Sequence, residues 1–159
     1  MSTNAVIAVD AKQVEGTLAE VRSGRHTWHI DEPAAFGGED RAPSPVQALL
    51  GALAGCLVAA GCQIAREWNL PFAHLECSIS GHICPDRFFG KEGGQRAGFH
   101  HMTVSFHGLA AWTPAQRTLW TEQVLKRCPV LDNLLQGTPI QTVWRDAHEG
   151  MDLSLGQDR

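Results

Sequence analysis

The chain has 159 residues, of which 43% are hydrophobic and 19% are charged, and its formal net charge at pH 7 is −4. This size and composition predict a single domain spanning residues 1–159, and the negative charge argues against sequence-independent binding of nucleic acid. The sequence has no visible signal peptide, and its longest uninterrupted apolar stretch, residues 48–62, is shorter than the ~20 residues of a membrane span.

The first third of the chain has the pattern of short strands followed by a loop. Residues 14–22 and 25–30 are the candidate strands, and Ser23-Gly24 between them is a turn signal. Residues 31–43 contain prolines and glycines that interrupt regular structure, so this segment is predicted to be a loop.

A long helix is predicted to follow. Ser44 suits the N-cap, Pro45 suits the first turn, and Gln47 completes a capping box. The helix can run to about Trp68, where Asn69-Leu-Pro71 ends it. It is apolar on nearly every face, a pattern that indicates burial on all sides, and a second subunit is expected to help cover it. Its small residues, Gly51, Gly55 and Ala59, would let another helix approach, although packing within one chain explains them as well.

The second half of the chain alternates strands and helices less regularly. Residues 75–83 and 101–107 alternate apolar and polar side chains, as half-buried strands do, and a glycine-rich loop over 84–98 separates them. A second capping box opens a helix over 113–127, a short helix runs through Leu134, and residues 140–144 read as a strand. Residues 146–159 look like a loose tail. The order of elements predicts an α+β fold.

Five cysteines occur at spacings unlike those of a disulfide framework, which predicts free thiols in a reducing cytoplasm. Two of them stand in distinctive places. Cys56 lies deep in the apolar helix, and Cys128 lies at a break between helices because Pro129 follows it. Such a pair could be a peroxide-reactive thiol and the thiol that resolves it, or simply two buried core residues.

An active Cys56 would need a cation nearby, because only the thiolate is nucleophilic and an apolar helix interior disfavours it. Position 56 is about three turns past the helix start, too far for the helix dipole to help. Arg25 and Arg22 are the best candidates, and Arg66 and Arg127 are weaker ones.

The other potential ligands favour structural roles. Cys62 points elsewhere on the helix, Cys77 reads as strand core, and Cys84 begins a loop and reads as an exposed bystander. Eight histidines are present, but His101 and His107 lie ~20 Å apart along a strand, and no zinc motif occurs. The sequence therefore predicts neither a metal nor another cofactor.

Several motifs together resemble the OsmC/Ohr family over roughly residues 15–145. They occur in family order, in two groups around the two cysteines. The motifs are Gly24-Arg25-His26, Asp31-Glu32-Pro33, Gly37-Gly38-Glu39-Asp40, Pro43-Ser44-Pro45, the run from Leu49 to Cys56, Arg127-Cys128-Pro129-Val130, and the segment 137–144.

The resemblance implies an OsmC-like fold and an intertwined homodimer whose sheets pack around central long helices. It also implies reduction of organic hydroperoxides, with an external dithiol as the reductant. Cys56 would be the peroxidatic residue, Cys128 the resolving residue, and Arg25 the cation that holds the thiolate. Two other functions stay open: a binding protein on the same fold with weak or no turnover, and thiol chemistry on reactive sulfur or electrophilic metabolites.

One position departs from the family. Strongly active members carry a Glu after the proline that starts the central helix, and that Glu pairs with the Arg. Here the position is Val46, followed by Gln47, and a neutral amide cannot orient an Arg as a carboxylate does. Asp31 and Glu32 are the candidate replacements.

Overall fold

The computed structural model describes residues 4–71, 74–109 and 111–144. Contacts divide the chain into two compact units, one of residues 1–48 and 139–159 and the other of residues 49–138. Both sheets and the three α-helices confirm the predicted α+β class.

The first unit contains a three-stranded antiparallel sheet in the order β1-β2-β3. Its strands are β1 (Asp10–Glu15), β2 (Leu18–Ser23) and β3 (His26–Ile30). The single strand predicted over 14–22 is therefore wrong, because a turn at Gly16 and Thr17 splits it. Gly16 has φ 53°, a left-handed conformation that glycine adopts without steric cost. The strand predicted over 25–30 is confirmed, starting one residue later.

The loop after β3 is organised around the buried carboxylate of Asp31. Its oxygens accept hydrogen bonds from the Thr17 hydroxyl at 2.6 Å and from the backbone N–H groups of Glu39 and Arg41 at 3.2 and 3.1 Å. The Thr17 bond, followed by the Arg41 bond, lowers the pKa of Asp31 below its ordinary value. The loop is less irregular than predicted, since residues 34–36 form one turn of 3-10 helix.

The long helix α1 (Pro45–Glu67) begins and ends close to the predicted positions. Both bonds of the predicted capping box are present: the Ser44 N–H donates to Gln47 Oε1 at 2.8 Å, and the Gln47 N–H donates to Ser44 Oγ at 3.3 Å. After the helix, Asn69 takes a left-handed conformation, with φ 53°.

Within one chain α1 buries only one face, so the prediction of burial on all sides is wrong for the single chain. The buried residues of this helix are Leu53, Leu57, Gly61, Ile64 and Ala65. By length and composition alone α1 could cross a membrane: its most apolar window has a mean hydropathy of 1.9, and 28% of that window is buried. Core helices of soluble proteins meet the same criteria, so this property is weak support for a membrane span, and the absence of one stays a prediction.

The second unit holds a two-stranded antiparallel sheet and two further helices. The strands β4 (Glu76–His82) and β5 (His101–His107) confirm the predicted pair, with Ile79 opposite Val104. The helices are α2 (Pro114–Arg127), which opens with the predicted Thr113 capping box, and α3 (Pro129–Gln136).

The core of the second unit forms around Trp120 of α2. Its ring makes edge-to-face contacts with Trp112 and Phe106, at centroid distances of 5.4 and 4.9 Å. Its indole N–H donates to the carbonyl of Gly61 at 3.0 Å, which ties α2 to the middle of α1. This packing fixes α1, which carries Cys56, against α2, which ends just before Cys128.

The strand predicted over residues 140–144 is absent. The segment has no regular structure, and Ile140 and Trp144 are 90% and 98% exposed. A strand needs a neighbouring strand to satisfy its N–H and C=O groups, and no described segment of this chain pairs with it. The loose tail predicted over 146–159 lies outside the described residues.

Candidate thiol site

The structure brings Cys56 and Cys128 together in the second unit. Cys56 lies on α1, half-buried, and packs against the buried core of which Cys128 is a member. Cys128 joins α2 to α3 in an extended conformation with φ −86° and ψ 108°. Pro129 explains this break, because proline disfavours helical geometry in the residue before it.

The side chain of Cys56 neighbours the Cys128 thiol. Burial raises the pKa of Cys128 above its ordinary value, and the neighbouring Cys56 raises it further. The backbone N–H of Leu131, which donates to the Cys128 sulfur at 3.5 Å, acts in the opposite direction. Burial and the neighbouring Cys56 therefore favour the neutral thiol form of Cys128.

The two cysteines also differ in how much of each side chain is exposed to solvent. Cys128 is 1% exposed, so a reagent in solution cannot reach it without movement of the chain, whereas Cys56 is half-buried. A nucleophile has to meet its substrate, and a resolving thiol has to meet only its partner sulfur. This arrangement suits Cys56 for attack and Cys128 for disulfide formation.

Arg25 lies in the first unit, in the turn between β2 and β3, and is exposed. It makes no hydrogen bond or ion pair with another described residue. Arg22, the other candidate on this hairpin, donates to Glu20 at 2.7 Å. Arg25 therefore has its guanidinium free within the described chain, and its contact with Cys56 stays a prediction.

Arg127 is not available as a cation for Cys56. Its guanidinium binds the carboxylate of Glu67 through two bonds, of 2.6 and 2.8 Å, and Gln63 donates to the same carboxylate at 3.1 Å. The Arg127 bonds, followed by the Gln63 bond, lower the pKa of Glu67 to about 2. Sequence reasoning missed Glu67, although its spacing of four residues from Gln63 on one helix face was a usable signal.

Of the side chains considered as replacements for the family Glu at position 46, two are already engaged. The Gln47 side chain is used by the helix cap, and the Asp31 carboxylate is used by the loop that follows β3. Of the two acidic candidates, Glu32 is the one whose carboxylate makes no bond with another described residue.

The remaining thiols are half-buried. Cys77 packs against the core as predicted, and burial raises its pKa. Cys84 is half-buried and so is not the exposed bystander that the sequence suggested. The pKa of the neighbouring Asp86 is lowered first by Lys91 and then by this thiol. Among the described residues no group of three or more His, Cys, Asp or Glu side chains could hold a metal ion.

Comparison with known proteins identifies the family. A sequence model of the family described as OsmC-like protein matches residues 37–143, which include both cysteines of the contact. The chain belongs to the OsmC-like family. No curated protein sequence matches it significantly.

Solved structures of OsmC-like proteins share the fold. An OsmC-like protein from Mycoplasma pneumoniae superposes with a TM-score of 0.70 at 18% identity, covering 85% of this chain and 91% of the other. An organic hydroperoxide resistance protein OsmC from Legionella pneumophila gives 0.64 at 16% identity, with coverages of 86% and 93%. The organic hydroperoxide resistance protein OhrB of Bacillus subtilis gives 0.56 at 17% identity, with coverages of 84% and 93%. At these identities the likeness establishes the fold and leaves the activity open.

Proposed function

We propose that this OsmC-like protein is a cysteine-based peroxidase that reduces organic hydroperoxides to alcohols. The Cys56 thiolate attacks the outer peroxide oxygen, the O–O bond breaks, and an alkoxide leaves and takes a proton to become the alcohol. Cys56 is then a sulfenic acid. Cys128 condenses with it, forming the S–S bond and releasing water, and an external dithiol reduces that disulfide by thiol exchange.

The contact between the thiols of Cys56 and Cys128 is the observation that carries this proposal. A buried, neutral thiol against a half-exposed one is the arrangement that a two-cysteine peroxidase needs. The names of the Legionella and Bacillus proteins, both organic hydroperoxide resistance proteins, support the substrate class. The apolar surroundings of Cys56 favour an organic peroxide over hydrogen peroxide.

The proposed enzyme is a homodimer in a reducing cytoplasm. The exposed side of α1 carries the small residues Gly51, Gly55 and Ala59, and a second copy would bury them. The exposed side chains of Ile140 and Trp144 would also be buried by a second copy of the chain. All five cysteines are free thiols, which is compatible with a reducing compartment.

The decisive experiment measures the consumption of cumene hydroperoxide with dithiothreitol as reductant. We expect turnover by the wild-type protein, none by Cys56→Ser, and retained turnover by Cys62→Ser, the control on the same helix. When Cys128→Ser is treated instead with excess hydroperoxide in the absence of dithiothreitol, its Cys56 sulfenic acid should be oxidised to sulfinic acid, because the resolving thiol is missing. Wild-type activity in Cys56→Ser would refute the proposal.

Val46 and the engaged Gln47 favour one alternative, a binding protein with little turnover. In that case the wild-type protein would bind an apolar ligand near Cys56 while consuming hydroperoxide no faster than Cys56→Ser. The same assay therefore separates the two functions. Turnover of a persulfide or an electrophile, but not of hydroperoxide, would indicate the third possibility, another thiol chemistry.

A further inference from the structure

The ion pair between Glu67 and Arg127 joins the last residue of α1 to the last residue of α2. Its two bonds, at 2.6 and 2.8 Å, make it a fork-to-fork contact, which fixes orientation as well as distance. Gln63 steadies the same carboxylate from one turn earlier on α1. Both side chains are partly solvated, with exposures of 40% for Arg127 and 38% for Glu67.

This ion pair is adjacent to Cys128 on one side, and on the other side it lies about three helical turns beyond Cys56. Arg127 directly precedes Cys128 in the chain. On α1, Cys56, Gln63 and Glu67 are spaced by seven and four residues, so they share one face of the helix. Two consecutive residues at the α2–α3 junction therefore face the same side of α1. Arg127 binds Glu67 there, and Cys128 neighbours Cys56.

The ion pair can fix the position of Cys128, because this residue lies at a break between two helices and is not held by continuous helical structure. Cys128 has extended backbone geometry between α2 and α3, and Pro129 has no N–H to donate. Disulfide formation is demanding, since the sulfurs have to reach ~2.05 Å with a defined dihedral angle. A solvated ion pair contributes little to global stability, but it can still set the position of the residue beside it.

We propose that Glu67 and Arg127 are positioning residues that hold Cys128 against Cys56, so that the disulfide closes before a second hydroperoxide molecule oxidises Cys56 to sulfinic acid. The second half of this statement rests on the proposed peroxidase function. The first half concerns only the closure of the disulfide and can be tested without any peroxide.

The test uses an aromatic disulfide, 5,5′-dithiobis(2-nitrobenzoate), on the full chain with Cys62, Cys77 and Cys84 replaced by Ala. Cys56 attacks the reagent and releases one thionitrobenzoate. Cys128 then attacks the mixed disulfide on Cys56, which forms the protein S–S bond and releases a second thionitrobenzoate. The rate of the second release measures closure directly, whatever the natural substrate is.

We expect Glu67→Gln and Arg127→Gln each to slow the second release by on the order of tenfold, since a small displacement of a reacting group has large kinetic effects. The first release should be unchanged. The matched controls are Glu122→Gln and Lys126→Gln, exposed residues of the same helix α2, and they should close at the wild-type rate. Exchanging the two charges, with Glu67→Arg and Arg127→Glu together, should restore most of the rate.

Wild-type closure in both Gln variants would overturn the inference, as would equal slowing in the controls or an absence of closure in the parent protein. With cumene hydroperoxide, the Gln variants should accumulate more Cys56 sulfinic acid than the parent does. If the parent closes its disulfide with the aromatic reagent but consumes no hydroperoxide, the peroxidase proposal fails and the positioning role stands.

Discussion

Among single residues, Arg25 is the one that we expect to control the reactivity of Cys56. It is the exposed guanidinium of the β2–β3 turn, and it has no partner among the described residues, whereas Arg22 is held by Glu20. We expect Arg25→Ala to slow the alkylation of Cys56 by iodoacetamide at pH 7, because a nearby cation favours the thiolate. Rates measured by mass spectrometry of the Cys56 peptide test this.

Arg22→Ala is the control on the same hairpin. It removes a cation that is already paired with Glu20 and should leave the alkylation rate of Cys56 unchanged. If Arg25→Ala reacts as fast as wild type while Arg22→Ala is slow, Arg22 takes the role assigned to Arg25.

The sequence pointed to these residues unevenly. The two cysteines could be singled out because each stands in a distinctive local frame, an apolar helix and a Cys-Pro junction. Their contact could not be predicted from local frames, since it depends on how α2 and α3 pack against α1. Two further interactions also depend on tertiary structure: the ion pair of Arg127 with Glu67, and the hydrogen bond that the Asp31 carboxylate accepts from Thr17.

At the scale of elements, Gly61 sets how closely α1 and α2 approach. A Cβ atom there would lie 2.4 Å from Cζ2 of Trp120 and 2.8 Å from Cδ2 of Leu75. Trp120 is fully buried and also bonds the Gly61 carbonyl, so it cannot move aside cheaply. We expect Gly61→Ala to reduce the free energy of unfolding by about 1–2 kcal/mol, because the overlap outweighs the gain in helix propensity.

Urea denaturation measures this effect, with Gly51→Ala as the comparison on the same helix. A Cβ at Gly51 would meet no atom within 4 Å in the single chain, so this variant should be neutral or more stable. A Gly61→Ala protein as stable as wild type would contradict the close packing of Trp120 on α1. A loss of stability at Gly51 would instead indicate that another copy packs there.

The sequence predicted most elements because their signals are local. Capping boxes at Ser44 and Thr113 fixed both helix starts, and alternation fixed β4 and β5. The failures involved non-local requirements. The strand predicted over 14–22 ignored the positive φ that Gly16 supplies, and the strand predicted over 140–144 assumed a neighbour that one chain does not provide.

At the scale of the whole molecule, α1 leaves an apolar surface to be covered. We expect an obligate homodimer burying more than ~2,000 Å² in total, with Gly55 in the interface. Gly55→Arg should shift sedimentation velocity profiles at micromolar concentration toward the monomer, because an arginine cannot be buried there without a partner. Glu122→Arg, at an exposed position of α2, should remain dimeric.

A wild-type protein that sediments as a stable folded monomer would contradict the dimer. Binding of that monomer to lipid vesicles, measured by flotation, would then assign the apolar side of α1 to a membrane. The sequence could predict the need for a cover from the composition of α1. The sequence could not show whether a second copy or a membrane covers this side of α1, because an apolar helix surface suits both.

The sulfur of Cys128 also caps helix α3, because it accepts a hydrogen bond from the Leu131 N–H in the first turn. A sulfur drawn into a disulfide with Cys56 must reorient, so the first turn of α3 should fray whenever the site is oxidised. The Leu131 amide would then exchange its hydrogen faster in the disulfide form than in the dithiol form. Hydrogen exchange followed by NMR checks this, and equal rates would show that the cap survives oxidation. Cys128→Ser preserves a capping side chain and Cys128→Ala does not, so the pair separates loss of chemistry from loss of the helix end.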